Sequence, residues 1–225
     1  MLRVAVLASG SGTNLQALLD ACAEAAYPAQ VVLVGCNRAA AGAIKRAEQA
    51  GVPVCLVDRG AIPRRAERQQ IMINALRASD VGLVVLAGFD EILSPPFVAA
   101  YSGRILNTHP SLLPAFGGTM HAVAQALEHG VKVSGCTIHL VTDDLDSGPI
   151  LMQAPVDVRD DDDVASLHAR IREREHCLLP SAVRAFAEGR VRIEGRRARV
   201  IASTELSVAS GQLSVDPSDK LGTDH

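Results

Sequence analysis

The sequence predicts an α/β protein in which helices cover a parallel sheet, and three observations predict it. Short β-branched or apolar runs alternate with helical stretches through most of the 225 residues. One of those runs, residues 83–87, is wholly apolar, as a strand buried on both faces must be. The chain is also long enough, with 48% hydrophobic side chains, to bury one sizeable core.

In chain order, residues 4–8 (Val-Ala-Val-Leu-Ala) form the first strand, and residues 14–26, rich in Ala and Leu, the first helix. A second strand at 31–36 leads to a short helix that Gly51 ends, glycine being the residue that accepts the left-handed stop position. A brief third strand covers 53–57. Residues 64–78 form a helix with charge on one side and Ile71, Ala75 and Ala78 on the other. After the deep strand at 83–87, the next strand, 104–109, stops at Pro110, and loop composition holds through Gly117-Gly118 until a helix at 122–129. Residues 132–141 alternate, with Val133, Thr137 and His139 on one face and Cys136, Ile138 and Leu140 on the other, which fits a sheet strand. Val164, Leu167, Ile171, Leu178 and Phe186 trace the stripe of the longest helix, which Gly189 terminates. One domain is expected over 1–205, followed by a disordered tail, 206–225, whose Ser, Asp and Gly content cannot offset its ordering entropy.

A net charge of -3 gives no general attraction to a polyanion, so nucleic acid is not an expected partner. The N-terminus shows no secretory pattern and no apolar stretch reaches membrane-spanning length, so a cytoplasmic location with no membrane partner is expected. The 5 cysteines are scattered and include no Cys-x-x-Cys pair, so they read as small apolar residues in a reducing compartment. Among the 7 histidines no tight ligand spacing occurs, and no metal is expected.

Two segments carry candidate chemistry. The first strand opens into Ser9-Gly10-Ser11-Gly12-Thr13-Asn14 and then a helix, an arrangement that turns free backbone N–H groups toward an anion. A capped glycine-rich turn is the plain alternative. Dinucleotide and triphosphate binding are disfavoured, because the glycine spacing is not G-x-G-x-x-G and no Walker lysine follows. Asn107 and His109 leave the same face at the carboxyl end of a strand, where open α/β sheets bind ligands. An amide that donates to an oxyanion beside an imidazole that moves protons suits acyl transfer, although such a pair also serves merely to hold a loop. The acidic turn around Asp146 follows a strand that could lie beside this pair in a parallel sheet, where its carboxylate would orient the ring. His121, His129, His139 and His168 read as structural.

Asn107-Thr108-His109-Pro110-Ser111-Leu112-Leu113-Pro114, with Gly135-Cys136-Thr137-Ile138-His139 and Leu145-Asp146-Ser147-Gly148-Pro149-Ile150, resembles the folate-dependent formyltransferase family over roughly residues 2–190. The resemblance implies a Rossmann-like fold, a mostly parallel twisted sheet with helices on both faces. It further implies a monomer or homodimer that moves the formyl group of 10-formyltetrahydrofolate to the amine of glycinamide ribonucleotide. By it, Asn107, His109 and Asp146 would be catalytic, and Gly12, Thr13, Asn14 and Glu175 would bind the ribotide. Without it, Glu175 reads as an ordinary solvated helix residue. Asp90, Glu91, Ile92 and Leu93 match the segment that receives the folate pterin, largely through main-chain groups, and Asn107 borders the folate. Asp90-Glu91 departs from the Met-Arg common in the family, which removes a cation, and Arg65 is the candidate to replace it. Rivals within the resemblance are a formyltetrahydrofolate hydrolase and a formyltransferase acting on initiator methionyl-tRNA, both usually with an extra domain. A non-catalytic phosphate-ligand binding module is the rival from another class, and retention of all three catalytic candidates speaks against it.

Overall fold

A computed structural model describes residues 1–202, so the tail expected from Leu206 lies outside the described residues. The elements run β1 (Leu2–Ala8), α1 (Thr13–Cys22), β2 (Ala29–Cys36), α2 (Gly42–Gln49), β3 (Val54–Leu56), α3 (Arg65–Ala78), β4 (Leu83–Leu86) and α4 (Pro95–Ala100). They continue with β5 (Ile105–His109), α5 (Ala122–Glu128), β6 (Val133–Leu140), β7 (Ile150–Asp157), α6 (Val164–Ala187), β8 (Val191–Glu194) and β9 (Arg197–Val200). All strands join one 9-stranded sheet in the order β3-β2-β1-β4-β5-β6-β7-β9-β8.

β1 alternates Val4, Val6 and Ala8 toward one face and Ala5 and Leu7 toward the other, and each set enters a different core. The first core packs the sheet against α1, α2 and α6 through Leu15, Leu18, Ala43, Leu179 and Val183. The second packs it against α3 and α4 through Met72, Ile73, Leu76, Phe97 and Tyr101. Each fully buried Leu or Phe contributes about 1.5–3 kcal/mol of transfer free energy. The expected helices on both faces are therefore present, and β4 is buried along its whole length.

Three details differ from the sequence expectations. α1 ends at Cys22 rather than near residue 26, because Glu24 and Tyr27 close a turn through Tyr27 N–H to Glu24 O at 3.0 Å. On α3, Ile71 is exposed and the buried face is Met72, Ile73 and Leu76 with Arg68 and Gln69. The expected face, Ile71, Ala75 and Ala78, is therefore not the buried one, because the consecutive apolar residues 71–73 fit either face, and the two polar residues are buried because they serve a neighbouring loop. β6 does pair with β5, but antiparallel, with Asn107 opposite His139 and His109 opposite Thr137. Alternation fixes which side chains share a face, not the direction of the strand.

Sequence patterning gave no assignment to β7, β8, β9 or α4. β7 contains Pro155, which is tolerated because the only β9 partner of β7 is at Ile150, leaving that stretch an outer edge.

Candidate active site

Strands β1, β4 and β5 run parallel, and the order reverses beside β1, with β2 on one side and β4 on the other. Such a switch point opens a crevice at the carboxyl ends of the strands. Here the crevice is a cleft of about 520 Å³ lined by Gly10 to Asn14, residues 86–93, Asn107 to Pro110 and Asp146, with Arg172 and Glu175 from α6. Exposed Ile92, Met120 and Leu145 give it an apolar rim.

One part of the lining is the loop after β1. Gly12 takes φ 73, and a Cβ there would sit 2.7 Å from Ala43 Cα, so only glycine fits. No side chain caps α1, which leaves its first N–H groups available. Asn14 is buried, and its Nδ2 donates to Glu175 Oε2 at 2.9 Å. Thr108 donates to Glu175 Oε1 at 2.9 Å. Glu175, 4% exposed, thus ties the loop to β5 and is no solvated helix residue.

Asn107, His109 and Asp146 line the same cleft. The 143–149 turn folds back over the sheet face, because β6 is antiparallel, and sets Asp146 across from both members of the pair. Asp146 Oδ2 is 3.3 Å from His109 Nδ1 and accepts from Gly118 N–H at 2.8 Å. Asp146 Oδ1 faces Asn107 Nδ2 and His139 Nε2, each at 3.5 Å. His109 Nε2–H donates to the Phe116 carbonyl at 2.9 Å. Both ring nitrogens therefore face oxygens, which fixes the orientation of the ring. Burial pushes the Asp146 carboxyl up, but the neighbouring His139 ring, the Gly118 amide and the His109 ring together outweigh it and hold the group below its usual range. Asp146 and Phe116 adopt φ 49 and φ 55. Left-handed backbone in non-glycine residues costs about 1–3 kcal/mol each, and both residues touch His109.

His139, read from the sequence as structural, belongs to the same cluster. Its Nδ1–H donates to the Leu140 carbonyl at 2.9 Å, so its Nε2 can accept from Asn107 Nδ2 at 3.1 Å. The signal was available in the strand parity, since His139 shares a face with Thr137 and sits opposite Asn107.

The 88–93 segment forms the cleft wall, but the side chains of Asp90 and Glu91 turn inward. Asp90 pairs with Arg38 and Arg59 and accepts from Asn37 Nδ2 at 3.0 Å, while its N–H donates to Ser9 Oγ at 2.9 Å. Burial raises the Asp90 carboxyl, and these donors together lower it below its usual range. Glu91 pairs with Arg68, whose Nε lies at 3.1 Å, and accepts from Gln69 at 3.0 Å. Ile92 O and Ser94 N–H are both taken by Gln69. The main-chain groups of Glu91 and Leu93 have no partner among the described residues. Arg65 is exposed and does not line the cleft, and the arginines that reach this segment are Arg38, Arg59 and Arg68.

No cysteine lines the cleft, and burial pushes the Cys36 thiol up to about 11 and the Cys136 thiol up to about 12, which leaves both inert. Among the described residues no three His, Cys, Asp or Glu side chains group as a metal site, and no helix is long and apolar enough to cross a membrane.

A mostly parallel sheet with a crevice at its switch point, a glycine turn that leaves the start of α1 uncapped and an amide–imidazole–carboxylate cluster define an enzyme of group transfer. The chain belongs to the formyl transferase family, whose profile matches residues 2–183. It is 50% identical over 196 residues to the phosphoribosylglycinamide formyltransferase of Mycobacterium tuberculosis, covering 87% of this chain and 90% of that one. The crystal structure of glycinamide ribonucleotide transformylase 1 from Symbiobacterium toebii superposes with a TM-score of 0.86 at 50% identity, covering 90% of this chain and 95% of that one. The trifunctional purine biosynthetic protein adenosine-3 of Homo sapiens is 44% identical over 191 residues, which is 85% of this chain but only 19% of that protein. The chain thus spans about a fifth of the length of that relative.

Proposed function

We propose that this chain is a cytoplasmic transferase that carries the formyl group of 10-formyltetrahydrofolate to the amine of glycinamide ribonucleotide, a step of purine biosynthesis. The carrying observation is that Asn107, His109 and Asp146 meet in a cleft that the uncapped turn at Gly12 also lines. Similarity to proteins named for this activity supports the same reading.

The ribotide phosphate binds the N–H groups of Gly12, Thr13 and Asn14, and Glu175 contacts the glycinamide portion. The folate supplies the formyl carbon and takes back a proton on the nitrogen that loses it. Its pterin fits the 88–93 wall, where the free main-chain groups of Glu91 and Leu93 are the recognition elements and Ile92 adds apolar surface.

At the reacting carbon, the amine forms its new bond to carbon, the carbon–folate nitrogen bond breaks, and one amine proton must reach the leaving nitrogen. Asn107 has one N–H held by His139, while the other makes only the 3.5 Å contact to Asp146 and is free to turn to the substrate oxygen. His109 gives its Nε2–H to the same oxygen in place of the Phe116 carbonyl. Asp146 keeps the ring aimed. Arg65 remains a candidate for the folate glutamate tail, as an exposed cation at the start of α3.

The deciding experiment mixes purified protein with 10-formyltetrahydrofolate, with and without glycinamide ribonucleotide, and follows deformylation of the folate. Deformylation only with ribotide is expected. Equal rates without it make the chain a hydrolase, and silence in both mixtures makes it a binding module.

A further inference from the structure

The turn at Gly12 is shaped from behind by α2, and one side chain of that helix has no role in the reading above. Ala43 N–H donates to Gly10 O at 3.2 Å, and Arg46 Nε–H donates to Ser11 O at 2.9 Å. Arg46 Nη1 also donates to Gln16 Oε1 at 3.0 Å, one turn into α1. A planar trans peptide points its C=O and the following N–H in opposite directions. With the carbonyls of Gly10 and Ser11 drawn toward α2, the N–H groups of Ser11 and Gly12 must point away from it. Neither these nor the N–H groups of Thr13 and Asn14 have an acceptor among the described residues. Buried Asn14 Oδ1 is likewise without a partner there. Arg46 has no carboxylate within ion-pair distance among the described residues, so its charge is not neutralised locally.

We infer that Arg46 is a positioning residue for a phosphomonoester: it fixes the Ser11 carbonyl and thereby turns the Gly12 N–H outward for the phosphate. It touches the turn rather than the ligand. The inference rests on the phosphate reading of this loop, and the test separates the two. Binding of ribose 5-phosphate to the full chain is measured by calorimetry for wild type, Arg46→Met and Arg46→Gln. Methionine has no donor, whereas the Gln amide nitrogen stands as many bonds from the backbone as Arg Nε and can still reach Ser11 O. Arg46→Met should weaken binding about tenfold, the loss of one charge-assisted hydrogen bond, and Arg46→Gln should recover most of it. Tetrahydrofolate affinity should not change in either variant, which excludes general unfolding. Should Met fail to fold, Arg46→Ala, a good helix former, reads the same loss.

Wild-type affinity in Arg46→Met overturns the inference. So does an Arg46→Gln as weak as Arg46→Met, since that would make charge rather than carbonyl placement the operative property. If wild type itself does not bind ribose 5-phosphate, the phosphate reading of the loop falls first.

Discussion

Asp146 collects contacts from four sources, His109, His139, Asn107 and the Gly118 amide, and none of them lies next to it in the chain. Replacing it with Asn keeps the shape and removes the negative charge beside the rings of His109 and His139. Asp146→Asn should lower kcat by about 10²–10³-fold and leave ribose 5-phosphate affinity unchanged, since none of the contacts of Asp146 is with the Gly12 turn. Equal losses in both would refute an orienting role. The same residue has a pH signature. Its folded carboxyl lies below the usual range, so its stabilising contribution is complete above the unfolded value and lost as pH falls through the folded one. The stability gap between wild type and Asp146→Asn should therefore hold at neutral pH and shrink below about pH 4, read by urea unfolding at several pH values. Glu91 tells a parallel story without chemistry. Arg68 is 6% exposed and Glu91 is its carboxylate partner. Glu91→Gln leaves that buried cation uncompensated and should cost about 3 kcal/mol of unfolding free energy.

The 143–149 turn shows what an element adds to its residues. A Cβ on Gly148 would lie 1.8 Å from Leu140 O, backbone against backbone, so the turn closes on β6 only because residue 148 has none. Leu140 N–H to Pro149 O at 2.9 Å then seals it. Gly148→Ala must open this contact, costing about 2–3 kcal/mol and displacing Asp146 from His109. Turnover should collapse while ribose 5-phosphate still binds, and a variant with normal turnover would show that the turn does not aim the carboxylate. This turn also marks where sequence patterning ended. The deep strand, the 107/109 parity and the uncapped glycine turn follow from period and turn chemistry, and all are present. The direction of β6 does not follow from alternation, and Asp146 reaches His109 by folding back over an antiparallel strand. The role of Arg68 was equally hidden, because a buried arginine on a helix with apolar residues at 71–73 leaves no clean stripe. β8 and β9, Val-Arg-Ile-Glu and Arg-Ala-Arg-Val, are charged and half exposed, too polar to register as sheet without their partner.

Across the whole molecule the cleft is assembled from the turn after β1, the end of β5 and the middle of α6, and Glu175 joins them. Its carboxylate takes one donor from Asn14, 161 positions away, and one from Thr108, 67 positions away. No local pattern announces such a strut, which is why composition alone made Glu175 a surface residue. The two oxygens facing two donors give a test that separates scaffold from substrate contact. In Glu175→Gln, the amide oxygen still accepts from Asn14, and the amide nitrogen can donate to Thr108 Oγ once that hydroxyl turns, so stability should fall by about 1 kcal/mol or less. In Glu175→Ala, Asn14 and Thr108 both keep buried donors without an acceptor, and the loss should reach about 3 kcal/mol in urea unfolding. If Glu175 also meets the ribotide amine, Glu175→Gln must raise the ribotide KM several-fold while the folate KM stays put, even though its stability is nearly native. A Gln variant with an unchanged ribotide KM would reduce Glu175 to the tie between α1 and β5 alone.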